Sequence, residues 1–129
     1  MAEIAHHMVA GAPPPVAPFS HAVESEGWVY LTGQMPVGDD LSAPLPEGVE
    51  AQTHRVIANL TTVLNGLGLG LENCVFVRVY LTHFERDYQR MNAVYASYFA
   101  EGQRPGRTCV GVTGLALGAL VEIDVVAKR

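Results

Sequence analysis

CVFVRVYLT, residues 74–82, alternates β-branched and aromatic residues around a single charge, Arg78, and so reads as a β-strand. Its flanks decide the fold. Upstream, Val49, Val56, Ile57, Leu60, Val63, Leu64 and Leu67 recur at the spacing of one helix face, and this stripe stops at the glycines of NGLGLG, residues 65–70. Downstream, Phe84, Tyr88, Met91, Tyr95, Tyr98 and Phe99 form a second stripe that ends before Gly102. Each helix therefore shows one apolar side, and the strand between them alternates too strongly to be covered by helices on both faces.

Working outward, FSHAVESEGWVYLTGQ (19–34) predicts a hairpin turning at Glu26-Gly27, with Trp28, Tyr30 and Thr32 on one face and Val29 and Leu31 on the other. HHMVA (6–10) is a short, weakly patterned first strand. GAPPPVAP (11–18) is an extended connector, and MPVGDDLSAPLPEG (35–48) is a loop. RTCVGV (107–112) and ALVEIDVVA (119–127) are the last two strands. The order β, β, β, α, β, α, β, β predicts an α+β chain, a single domain over 1–129, with a mixed sheet and both helices on one face. The other sheet face remains substantially apolar, and its simplest cover is the same face of another subunit.

Composition narrows the partners. A net charge of −5 repels phosphate backbones, which argues against nucleic acid. The two cysteines, Cys74 and Cys109, form no CxxC pair and read as reduced cytosolic thiols. There is no signal-peptide pattern at the start and no apolar run of the roughly 18 residues that a membrane span requires, so a cytoplasmic protein is expected. His6, His7, His21, His54 and His83 have no ligand spacing, and no metal is expected. GLGLG follows a helix instead of preceding one, which makes it a helix stop and not a phosphate cradle.

Charges in costly places are the candidates for chemistry. Arg107 follows a Pro-Gly turn at the start of an apolar strand, where its planar fork suits a carboxylate, either from a ligand or from a structural ion pair. Arg104, three residues earlier, reads as ordinary surface. Glu122 and Asp124 share one face of LVEIDVV, and the pattern does not separate them. A carboxylate half-buried there has its pKa raised unless it is paired, whereas at a sheet edge it is simply solvated. Asn92 lies on the aromatic ridge of Tyr88, Tyr95 and Phe99, so its amide needs partners or ties down a loop. Cys109 has no general-base histidine recognisable beside it and reads as a small buried hydrophobe.

Taken together, APFSHAV (17–23), VYLTGQMPV (29–37), AQTHRVIANL (51–60), MNAVYASYF (91–99), RPGRTCV (104–110) and GALVEIDVVA (118–127) resemble the YjgF/Rid family, the reactive intermediate deaminases once labelled L-PSP endoribonucleases. The resemblance runs over nearly the whole chain. It implies a chorismate-mutase-like α+β fold assembled as a homotrimer, helices outside, with sites in the clefts between subunits. The implied activity is hydrolysis of enamine and imine products, such as 2-aminoacrylate, to a 2-keto acid and ammonia without a cofactor. It also implies that Arg107 grips the substrate carboxylate and that Glu122, not Asp124, orients the attacking water. Phe19, Thr32, Asn92 and the backbone of Cys109 then shape the pocket.

Two departures bear on substrate. Phe19 stands where many deaminating members carry tyrosine, and LALGA (115–119) replaces the commoner LPKGA. Both make the expected pocket more apolar, favouring larger or less polar imino acids. A non-catalytic trimer binding 2-keto acids is the alternative, and retention of Glu122 beside Arg107 favours the enzyme. Ribonuclease activity fits poorly with the acidic charge and the lack of a basic stripe.

Overall fold

The computed structural model describes residues 3–129. Its strands and helices follow the predicted order: β1 (Ala5–His7), β2 (Ala22–Ser25), β3 (Trp28–Gln34), α1 (Val49–Gly66), β4 (Cys74–Leu81), α2 (Phe84–Ala96), β5 (Gly106–Gly111) and β6 (Val121–Lys128). The β2–β3 turn falls on Glu26 and Gly27, with φ of 54° and 81°. Two consecutive positive φ values give the primed turn whose twist matches that of the strands, and glycine supplies the second at little cost. The first is carried by a glutamate.

All six strands join one sheet in the order β1-β2-β3-β6-β4-β5. Only β4 and β5 run parallel, and a parallel pair needs a crossover, which α2 provides. The C-terminal strand β6 is central, hydrogen-bonded to β3 on one side and to β4 on the other. That long-range pairing lies beyond any local pattern.

One face of the sheet carries both helices. Val56, Ile57, Leu60, Val63 and Leu64 of α1 share a buried core with Val29 and Leu31 of β3, Val77, Val79 and Leu81 of β4, and Val121, Ile123 and Val125 of β6. Met91, Tyr95 and Phe99 join the same core, so α2 lies on the same side as α1. The helical pattern of α1 ends as the sequence predicts. Leu69 N–H bonds to Leu64 O at 2.9 Å and Gly68 N–H to Asn65 O at 3.1 Å, with Gly68 at φ 75°, a Schellman stop. The second stripe is helical only to Ala96, and Tyr98 and Phe99 continue its apolar side from the turn beyond.

Among the described residues nothing covers the opposite face. Trp28, Tyr30, Phe76 and Val110 are large apolar side chains exposed there, and Arg78, Glu122 and Asp124 lie among them. Among the described residues no helix is long and apolar enough to cross a membrane.

Two polar anchors fix the loops around the sheet. Asn59, almost fully buried on α1, donates 2.8 Å hydrogen bonds to the carbonyls of Met35 and Val37, which pins the start of the 35–48 loop. His21 is 3% exposed; its Nδ1 accepts from Val9 N–H at 2.9 Å and its Nε2 lies 2.8 Å from Pro13 O. A carbonyl can only accept, so Nε2 carries the proton and the neutral ring straps the proline-rich segment to β2.

Candidate active site

Arg107 lies on β5 opposite Val77, a core residue of β4, so its side chain leaves the sheet on the helix side. There it meets α2. Its guanidinium carbon lies 4.8 Å from the Tyr95 ring centroid and 5.9 Å from that of Tyr88, and Nη2 makes a long 3.4 Å hydrogen bond to the Tyr88 hydroxyl. Among the described residues it has no carboxylate partner. Aromatic faces attract a cation without neutralising it, which leaves the outer edge of the fork free to bind an anion.

The arginine borders a groove of about 240 Å³ lined by Asn92, Tyr95, Ala96, Arg104, Pro105 and Arg107. Two polar atoms here, Asn92 Oδ1 and the Tyr95 hydroxyl, are buried with no hydrogen-bond partner. Unpaired buried groups are costly, which makes this wall of the groove a candidate functional surface. Burial pushes the Tyr95 hydroxyl up to about 12 even though Arg107 pulls the other way, so it is a neutral donor. Cys109 sits two residues beyond Arg107 on the same side, half-buried, and burial raises its thiol above the ordinary range. It is a poor nucleophile as it stands.

Glu122 leaves the sheet on the other side. It is opposite Tyr80 on β4, half-buried, and has no hydrogen bond or ion pair among the described residues. Its neighbour Asp124 shares that face but is spoken for: Arg78 Nε lies 2.8 Å from Oδ1, and the Tyr80 hydroxyl donates to Oδ2 at 3.0 Å. The structure thus separates two carboxylates that the sequence pattern alone leaves equivalent. Burial first, and the Asp124 charge second, hold the Glu122 carboxyl above the ordinary carboxylate range.

A β-bulge seats this carboxyl. The β3–β6 register slips between Leu31 and Gln34, where Thr32 Oγ1 donates to Ser20 O at 2.6 Å and Thr32 N–H to His21 O at 3.0 Å. Gly33 leaves room for the Glu122 carboxyl group, which a Cβ at that position would force to shift. Phe19 lies at the same place, sharing a small crevice with Gly33 and Gln34.

The expected residues thus fall into two groups. Arg107, Asn92 and Cys109 are on the helix side of the edge strand; Glu122, Thr32 and Phe19 are on the open side. One copy of the chain does not bring Arg107 and Glu122 together. Tyr88 and Tyr95, which seat Arg107, went unassigned in the sequence because their spacing reads equally as core. Arg104 is exposed, as expected of a surface residue, and it also lines the Arg107 groove. Among the described residues no three of His, Cys, Asp and Glu cluster as a metal site.

Comparison with known proteins matches this geometry to a family. Residues 9–129 match the sequence model of the family described as endoribonuclease L-PSP. A RutC family protein of Synechocystis is 40% identical over 119 residues, 92% of this chain and 91% of the relative. The 3-aminoacrylate deaminase RutC of Acinetobacter baylyi is 35% identical over 117 residues, 91% of each chain. Among solved structures, the Rid family protein YyfA of Yersinia pestis superposes with a TM-score of 0.90 at 31% identity, covering 98% of this chain and 100% of that one. With its sheet order, its bulge and the match over almost its whole length, the chain belongs to the YjgF/Rid family.

Proposed function

We propose that this protein hydrolyses 2-imino acids and their enamine tautomers to 2-keto acids and ammonia, in clefts formed between copies of a homotrimer of chorismate-mutase-like subunits. One observation carries the reading. A half-buried guanidinium without an anion, beside two unpartnered polar atoms, lies on one side of the sheet, and a half-buried carboxylate without a cation lies on the other. Each half lacks what the other supplies. An assembly that covers the open face, with its exposed Trp28, Tyr30, Phe76 and Val110, brings the Glu122 of one copy to the Arg107 of the next.

The chemistry follows from those groups. The Arg107 fork holds the substrate carboxylate, and Asn92 and Tyr95 offer hydrogen bonds to the remaining polar atoms. Glu122 accepts a proton from water as the water oxygen bonds to the carbon of the protonated imine, giving a neutral tetrahedral carbinolamine. It then returns that proton to nitrogen and takes up the hydroxyl proton as the carbonyl forms, the C–N bond breaks and ammonia leaves. A raised pKa suits a carboxyl that must act first as base and then as acid near neutrality. The imine carbon is already electrophilic, so position and proton transfer are the main needs.

The relative named as a 3-aminoacrylate deaminase supports a deamination of this kind. A purely binding role gains nothing from an unpaired, desolvated carboxylate. The test is ammonia release from 2-aminoacrylate and a panel of 2-imino acids, each generated in situ. Wild type should accelerate decay, and Arg107→Ala and Glu122→Ala should not. Equal rates with wild type, either variant and no protein would leave a keto-acid binding module as the better reading.

A further inference from the structure

Of the cationic side chains, Arg78, Arg86, Arg90 and Arg129 are paired with carboxylates, Arg55 and Lys128 bond to backbone carbonyls, and Arg107 reaches the Tyr88 hydroxyl. Arg104 alone makes no hydrogen bond or ion pair among the described residues. It nevertheless lines the same groove as Arg107, close enough that its charge is felt at the Tyr95 hydroxyl. No carboxylate lines that groove. A chain with net charge −5 has thus placed two uncompensated guanidinium groups around one small concavity.

We infer that the substrate carries a second carboxylate, with Arg107 holding the one beside the imine and Arg104 the distal one. The class is the 2-imino derivative of an acidic amino acid, and the inference rests on the deaminase reading above. Arg107 is half-buried and stacked against two rings, which suits the group that must be fixed for reaction. Arg104 is exposed, and a flexible, solvated cation selects without having to position. The 6%-exposed Tyr95, with its hydroxyl unpartnered, lines the same groove as both arginines and serves as a donor to the ligand. Phe19 and residues 115–119 do not line this groove; Phe19 lies near Gly33 beside Glu122, so in the composite cleft its apolar ring faces the reacting end and leaves the distal end to Arg104.

The test compares 2-oxoglutarate with 2-oxohexanoate, in which an ethyl group replaces the distal carboxylate, by calorimetry on the intact wild-type assembly, Arg104→Gln and Arg104→Lys. Wild type should bind 2-oxoglutarate about five- to tenfold more tightly, as an exposed but unopposed cation allows. Arg104→Gln should bring the ratio close to one, and Arg104→Lys should retain part of it. A wild-type ratio near one, a ratio that Arg104→Gln leaves intact, or no binding of 2-oxoglutarate at millimolar concentration would overturn the inference. Ammonia release from 2-iminoglutarate and 2-iminohexanoate separates the two readings. Selective binding with no turnover of either defeats the deaminase alone, and turnover of both without preference defeats the dicarboxylate alone.

Discussion

Replacing Arg107 by methionine removes a charge but keeps an unbranched apolar stem against α2. Among the described residues the arginine forms no ion pair; what the substitution removes is two cation–π contacts, at 4.8 and 5.9 Å, and a 3.4 Å hydrogen bond. At a half-exposed site such contacts contribute about 0.5–1 kcal/mol each, and a methionine sulfur against the same rings restores part of that. The net loss of stability is then about 1 kcal/mol, or a Tm shift of roughly 3–6 °C for a chain of this size. The ligand loses far more. Leaving a substrate carboxylate unpaired in a partly desolvated groove costs about 2–5 kcal/mol, which is roughly 30-fold to a few thousand-fold in kcat/KM or Kd. The assay pairs thermal unfolding with ammonia release from 2-iminopropanoate generated by an amino-acid oxidase. A variant with kcat/KM within threefold of wild type, or one that unfolds tens of degrees lower, would refute the reasoning, because Arg107 would then be serving the fold.

The other expectations rest on single contacts. Glu122→Gln should abolish turnover while leaving 2-oxobutanoate affinity within a few-fold of wild type. Because the folded pKa of Glu122 is raised, its ionisation costs stability as pH rises from the ordinary carboxylate range through the folded value; the variant should gain stability above that window and match wild type below it, as pH-dependent unfolding will show. For the same reason the acidic limb of the wild-type rate profile should lie above the ordinary carboxylate range. Asn59→Leu removes one donor from each of the Met35 and Val37 carbonyls, which keep the Val37 N–H and Arg55 Nε respectively, and should cost about 2 kcal/mol in urea unfolding, about 1 per lost bond. Glu26→Asn relieves a glutamate held at φ 54° and should raise stability by about 0.5–1 kcal/mol in the same assay.

The local signals were legible. The alternation in β4, the two helix stripes and the glycines after α1 each report short-range physics, and each element appears where its pattern stands. Sheet order is another matter. β6 slots between β3 and β4 through contacts far apart in sequence, and nothing in residues 121–128 names its neighbours. The same gap hides the division of the site: alternation says that Arg107 and Glu122 each face one way, but only the pairing of β5 and β6 with β4 reveals that the ways are opposite. Glu122 and Asp124 are equivalent in the pattern because the difference between them, Arg78 and Tyr80, comes from another strand. Arg104 looked like surface for the same reason, since the groove it shares with Asn92 and Tyr95 is made by α2.

The central claim is that the catalytic pair comes from two copies of the chain, and subunit mixing tests it most directly. Arg107→Ala and Glu122→Ala, each inactive alone, are co-produced with different affinity tags, and assemblies carrying both are compared with wild type for ammonia release from 2-iminopropanoate. In a trimer that carries both variants, one cleft of the three pairs an intact Arg107 with an intact Glu122 from the neighbouring copy, so these assemblies should recover about one third of the wild-type rate. Mixed assemblies that form and remain as inactive as either parent would contradict the account.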